Sequence, residues 1–245
     1  MDRLLQKLKK RGHDLVSQPY KKIEFTKNEE SDNLLNDLER YPHAFVIGCL
    51  MDRQIRANRA WLIPYKIKKI LNGFKIQDLY QLKLSDVREI FKTNAFHRLN
   101  EDMAKIFYLA IEKIQHKYNG NASEIWENNP SSATVVRKFL EFHGSGPKIS
   151  TMAANTLYRD FKIPMKDCYS IDISPDRHVD RVFKRIGFAH KNDKRETIIY
   201  IARDLNPKYP GIFDLSCYEI GANWCKPKNP ICGNCYLFQL CPRHI

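Results

Sequence analysis

The sequence predicts an all-α protein. Apolar residues recur at helical spacing through most of the chain, as in Met103, Ile106, Phe107, Ala110, Ile111 and Ile114, the stripe of a core-facing helix. No segment before residue 130 alternates apolar and polar residues as a half-buried strand would. The connections between periodic segments are short, which suits neighbouring helices packed round one core.

Taken in order, the basic N-terminus carries a short amphipathic stretch at Leu4, Leu5 and Leu8, read as a helix and linker. Ser31 is expected to cap a helix bearing Leu34, Leu35 and Leu38, stopped by Pro42. Ala44 to Leu50 is almost wholly apolar, which predicts a central helix buried on every side. Asn58 to Leu71 reads as a basic amphipathic helix interrupted at Pro64, and Asn72-Gly73 ends it. Two short helices follow, one through Ile76, Leu79 and Tyr80 and one capped by Ser85. A long helix starts at Asn94 or Asn100 and ends at Asn119-Gly120. Pro130-Ser131-Ser132 opens the helix that enters a hairpin, a second helix leaves it, and residues 161–175 are irregular. Asp176 then begins a helix with Val179, Val182, Phe183 and Ile186 on one face and Arg177, Arg181, Lys184 and Arg185 on the other. A helix over about Arg195–Leu205 follows, and Leu215 to Trp224 leads into the last cysteines.

The chain has 245 residues, 41 Lys and Arg against 28 Asp and Glu, and a formal charge of +13. That excess favours polyanionic partners, nucleic acid first and anionic membrane second. No apolar run approaches the roughly 20 residues of a membrane span, and the N-terminus lacks a secretory signal's apolar core. An intracellular protein is expected, in cytoplasm, nucleoid or nucleus. Seven cysteines in such a chain read as metal ligands plus buried thiols rather than disulfides. Cys49, Cys168 and Cys217 sit among apolar neighbours and are expected in the core.

Three motifs carry chemistry. The hairpin is His143-Gly144-Ser145-Gly146-Pro147-Lys148. Glycine takes positive φ without strain, and amides at the start of the second helix suit a phosphate; a plain packing corner would use the same residues. Asp176 heads the segment Asp176-Arg177-His178-Val179-Asp180-Arg181; it is a good N-cap, and negative charge is favoured there. Cys225, Cys232, Cys235 and Cys241 are spaced C-x6-C-x2-C-x5-C. Structural zinc usually takes two short Cys pairs; only one close pair occurs here, and the wider intervals suit a bulkier cluster.

Together these motifs resemble the helix-hairpin-helix DNA glycosylase superfamily, and the cysteine spacing resembles the iron–sulfur branch typified by endonuclease III. The resemblance runs from about Leu34 to the end. It implies two helical lobes: a barrel over 34–165 with the hairpin at 143–148, and a discontinuous lobe of 1–33 plus 166–245 with the cluster loop at 225–241. It implies a [4Fe–4S] cluster on the four cysteines and a monomer acting on duplex DNA that contains a damaged base or abasic site. It makes Lys148 the Schiff-base nucleophile and Asp176 the carboxylate that stabilises the sugar as the base leaves. Gly144 and Gly146 would bind phosphate through backbone; Arg177, His178, Arg181 and Arg185 would also face DNA. Gln54 falls where the family fills the gap left by a flipped nucleotide, though a polar helix end is as good a reading. The hairpin departs from the family's Leu-Pro-Gly-Val-Gly at His143 and Ser145, and the interval from Lys148 to Asp176 is longer than the family's, leaving Asp172 as an alternative carboxylate. The implied activity is a base-excision glycosylase with abasic-site lyase activity. Its alternatives are a monofunctional glycosylase in which Asp176 activates water and a non-catalytic, structure-specific DNA-binding protein. The lesion is not legible from these residues.

Overall fold

The computed structural model describes residues 2–243. Its regular structure is helical, with no strand among the described residues. The chain divides into two compact units, one of Lys21–Pro130 and Arg137–Ala153, the other of Met1–Tyr20, Ser131–Val136 and Ala154–Ile245.

In the first unit, α3 (Pro42–Met51) is the central element and every one of its residues is buried. Such a helix must be apolar all round, and His-Ala-Phe-Val-Ile-Gly-Cys-Leu nearly is. α2 (Glu29–Asn36), α5 (Ile63–Leu71) and α8 (Asn100–Lys117) pack on it. Phe45, fully buried, meets the rings of Trp61 at 5.8 Å, Trp126 at 6.0 Å and Phe139 at 6.5 Å. Burying one such side chain contributes about 2–3 kcal/mol. α4 (Ala57–Ala60), α6 (Ile76–Tyr80) and α7 (Leu84–Thr93) complete the unit before α8.

Helix starts differ in detail from the sequence reading. Asn28, not Ser31, caps α2: its side chain accepts from the Ser31 amide at 2.8 Å. Pro42 opens α3 at its first position, where its missing N–H costs nothing. Lys83 precedes α7, and the Asp86 carboxylate accepts from its amide at 2.9 Å, so Ser85 lies inside the helix. The break before Pro64 is present, between α4 and α5. Residues 21–28 fall in this unit because Ile23 bonds Asn36 and Thr26 bonds Asp32, whereas the sequence reading ended the N-terminal segment at residue 33. Trp61 and Phe96 are core residues. Tyr65 is only half-buried, its hydroxyl donating to Glu30.

α9 (Ser132–Leu140) and α10 (Pro147–Arg159) flank the hairpin. In the second unit, α1 (Asp2–Ser17), α11 (Arg177–Arg185) and α12 (Arg195–Leu205) accompany α13 (Asp214–Asn223). α11 lies against α13 so closely at Gly221 that a Cβ there would come within 2.7 Å of the His178 Cβ. Cys217 is fully buried, but Cys168 is half-buried and its thiol bonds Tyr158, so it is not a core thiol.

Residues 161–175 are irregular yet pinned repeatedly. The Ser170 amide donates to Ser132 Oγ at 3.0 Å, and Ser132 Oγ donates to Asp167. Arg203 grips Asp172 with two bonds of 2.7 Å. The Gly211 amide donates to the Ile171 carbonyl at 2.7 Å, and Asp214 Oδ1 accepts from the Ser174 amide at 3.1 Å.

Candidate active site

In the unit built round α3, the hairpin turn runs from the end of α9 to the start of α10. Gly144 is left-handed at φ +81°, as a tight turn requires, and a Cβ there would strike Ile106 at 2.6 Å. Gly146 is not left-handed, contrary to the two-glycine expectation. A Cβ on it would meet nothing within 4 Å, so that face of the turn is open. The Gly146 carbonyl accepts from the Ser150 amide at 3.0 Å, which sets the first turn of α10. Pro147 and Lys148 occupy that turn and are exposed. Among the described residues no ion pair or hydrogen bond engages the Lys148 ammonium. The amides of a first helical turn have no partner within the helix and attract an anion.

Gln54 is brought to the same turn through its neighbour. Arg53 Nη2 donates to the Gly144 carbonyl at 2.9 Å, and the Arg53 carbonyl accepts from His97 Nε2 at 2.8 Å. The Leu99 amide donates to His97 Nδ1 at 3.0 Å, which fixes a neutral imidazole protonated at Nε2. Burial, the largest influence, also lowers the His97 pKa. Held on both sides, the segment places Gln54 exposed at φ +52°, a left-handed conformation uncommon outside glycine. Arg53 was not singled out from sequence, and no local signal marks it.

In the second unit, Asp176 caps α11. Its Oδ1 accepts from the amides of His178 at 2.7 Å and Val179 at 2.8 Å. Asp172, the alternative carboxylate, is neutralised by Arg203 with its side chain 13% exposed. Arg177 is exposed, and no partner engages its guanidinium among the described residues. His178 packs edge-on against the half-exposed Tyr218 at 5.3 Å, and its Nδ1 lies 3.2 Å from Arg181 Nη2.

Arg181 and Arg185 have partners that the sequence did not reveal. Arg181 Nε donates to the Cys225 carbonyl at 2.6 Å and Nη2 to the Gly221 carbonyl at 2.9 Å. Arg185 Nη1 donates to the Lys226 carbonyl at 2.6 Å and Nη2 to the Pro227 carbonyl at 3.0 Å. Its Nη1 also lies 3.5 Å from Cys225 Sγ. The two guanidinium groups therefore hold the start of the cysteine loop. Of the other basic groups on that loop, Lys226 turns back to the Ala222 carbonyl, Lys228 is exposed and Arg243 covers the Phe238 ring.

Cys225, Cys232, Cys235 and Cys241 line one cavity walled by Ile220 and Leu237. Among the described residues no three Cys, His, Asp or Glu side chains converge as a site for a single ion. Burial pushes up the Cys235 and Cys241 thiols, and each is raised further by its neighbouring cysteines. Four thiols round an apolar space, with a guanidinium at one sulfur, fit the donor set of a thiolate-ligated cluster.

One further carboxylate stands out. Asp214, at the head of α13, is pushed up to about 6, chiefly by burial and partly by Asp176, against the opposing charge of Arg159.

No family model matches the chain. An endonuclease III from Thermotoga maritima is 26% identical over 208 residues, covering 84% of this chain and 85% of that protein. An adenine DNA glycosylase from Buchnera aphidicola is 25% identical over 181 residues, covering 73% of this chain and 46% of that protein. The structure of a trapped endonuclease III–DNA covalent intermediate superposes with a TM-score of 0.60 at 18% identity, covering 96% of this chain and 95% of that one. Among the described residues no helix is long and apolar enough to cross a membrane. In its sequence and its all-helical fold the chain is similar to the helix-hairpin-helix DNA glycosylases, and to the endonuclease III-like proteins among them.

Proposed function

We propose that this protein is a base-excision-repair DNA glycosylase with abasic-site lyase activity. The observation that carries the reading is Lys148: an exposed, unpaired amine in the first turn of the helix after a left-handed glycine hairpin. Backbone amides of that turn hold a phosphate of the duplex without reading its sequence, and Gln54 enters the space vacated by the flipped nucleotide. Flipping is required because the sugar C1′ is inaccessible in the stack.

In this mechanism the bound duplex desolvates Lys148, which reacts as the neutral amine. Its Nζ lone pair forms a bond to C1′ while the N-glycosidic bond breaks, and the base leaves with that electron pair and gains a proton. The sugar ring opens, and the nitrogen loses its protons to give a Schiff base. Loss of a C2′ proton then expels the 3′ phosphate and nicks the strand. Asp176, its Oδ1 fixed by two amides, places negative charge beside the sugar as positive character develops there. Arg177 and His178 at the head of α11, and any donors that Arg181 and Arg185 leave uncommitted, contact the backbone of the DNA.

The four cysteines would hold a [4Fe–4S] cluster, which needs four thiolates and so displaces four protons on assembly. Its chemistry here is structural, tying down a loop that lacks its own core. The test of the reading is base release from a panel of duplexes carrying oxidised, alkylated or deaminated bases. Release from at least one duplex, with strand nicking, supports it; no release and no nicking on any duplex overturns it in favour of a non-catalytic DNA-binding protein.

A further inference from the structure

We propose that Asp214 is a positioning residue for base excision: its carboxylate holds the backbone of Ser174 and so fixes the segment that delivers Asp176. The proposal rests on the glycosylase reading and deepens it. The segment 161–175 has no regular structure, so its course is set by the groups that pin it. The pin nearest Asp176 is the bond from the Ser174 amide to Asp214 Oδ1 at 3.1 Å. Ser174 is itself buried, and its carbonyl accepts from the Asp176 amide at 2.7 Å. One residue therefore links the two carboxylates through backbone.

Asp214 is held in turn. Its Oδ2 lies 3.5 Å from Asn155 Nδ2, which also donates to the Gly211 carbonyl at 3.2 Å, and Tyr209 donates its hydroxyl to Asn155 Oδ1. Asn155 is 1% exposed. A buried amide with every polar atom engaged is a rigid support. The charged and titratable groups around Asp214 are Arg159 at the end of α10, Asp176 at the head of α11, Tyr209, and Cys217 on α13. Arg159 is shared with Asp160 through bonds of 2.9 and 2.6 Å. Asp214 therefore keeps only part of one cation against the charge of Asp176. The ionised form makes the stronger bond to Ser174, so the grip tightens above about pH 6 and slackens below it.

The test measures two things on Asp214→Ala and Asp214→Asn in the full chain: amide exchange of residues 170–176, and single-turnover base release from pH 5 to 8 on a duplex the wild type processes. Asp214→Ala should speed exchange of that segment about tenfold, as expected for a buried donor left unpaired. Base release should slow at least as much, with affinity for undamaged duplex unchanged. Asp214→Asn retains only a neutral acceptor, so at every pH it should resemble the protonated wild type: exchange protection between those of wild type and Asp214→Ala, and no fall in rate below pH 6. Wild-type exchange in Asp214→Ala would overturn the proposal. So would faster exchange with an unchanged rate, since Asp214 would then be structural only. If Asp214→Ala does not fold, the pH profile of Asp214→Asn decides, and an unchanged acid limb overturns the proposal. If the wild type releases no base from any duplex, the glycosylase reading has failed, and the exchange measurement still decides whether Asp214 holds the segment.

Discussion

Arg53 reaches across 91 positions of sequence to donate from Nη2 to the carbonyl of Gly144, at 2.9 Å. The bond ties the loop that presents Gln54 to the hairpin that precedes Lys148. A charged donor on a carbonyl contributes roughly 1.5–3 kcal/mol, more than a neutral pair. Arg53→Ala should therefore loosen the turn and weaken binding to undamaged duplex about tenfold at fixed salt. If Arg53 acts through Gly144, the slope of log K against log salt stays as in wild type. A slope shallower by about one would mean that Arg53 contacts phosphate directly.

The cysteine loop gives the second prediction. Arg185 meets two carbonyls and one sulfur of that loop. Arg185→Ala should lower iron and acid-labile sulfide per chain, and open residues 225–241 to protease, before it lowers duplex affinity. Arg185→Lys should not restore the loop, because an ammonium lacks the planar fork that reaches several acceptors at once. Iron content at the wild-type level, with the salt slope reduced by about one, would assign Arg185 to phosphate instead. Stoichiometric zinc without sulfide in the wild type would remove the cluster.

Acid stability gives the third. His43 is the second residue of α3, buried beneath Phe74, with Nε2 2.7 Å from the Phe74 carbonyl. Burial lowers its pKa to about 4. The unfolded chain takes up that proton near pH 6.5, so the native state loses stability as pH falls from about 6.5 to 4 and gains nothing above that window. The linked loss is about 1.4 kcal/mol per pH unit. Urea midpoints at pH 7 and pH 4.5 should show a larger fall for wild type than for His43→Gln. Equal falls would mean that His43 charges freely in the folded protein.

Helix type and order were legible because they depend on local periodicity: α3, α8 and α11 lie where the apolar spacing put them. Asp176 was legible as a cap because a cap is a relation over two or three residues. Ser31 and Ser85 were misread for the same reason in reverse, since Asn28 and Asp86 compete for those turns and win through local geometry. What stayed hidden was long-range. Asp214 meets Ser174 across 40 positions and Asn155 across 59, and Arg185 meets Lys226 across 41. No pattern along the chain marks such pairs, so an arginine on a polar helix face reads equally well as a phosphate contact or as a loop anchor.

Borohydride trapping on an abasic or lesion duplex, with wild type beside Lys148→Ala and Asp176→Asn, tests whether Lys148 is the nucleophile. A Schiff base is reducible, so wild type should give a covalent protein–DNA adduct. Lys148→Ala should give none and should not nick, while its duplex binding largely persists. Asp176→Asn keeps an acceptor for the His178 and Val179 amides, so it should cost under about 1 kcal/mol of stability. It should still slow base release by roughly 10²–10³, the loss expected for one electrostatic stabiliser. Base release by wild type without any adduct would favour water as the nucleophile, and an adduct that survives Lys148→Ala would place the nucleophile on another residue and contradict the account.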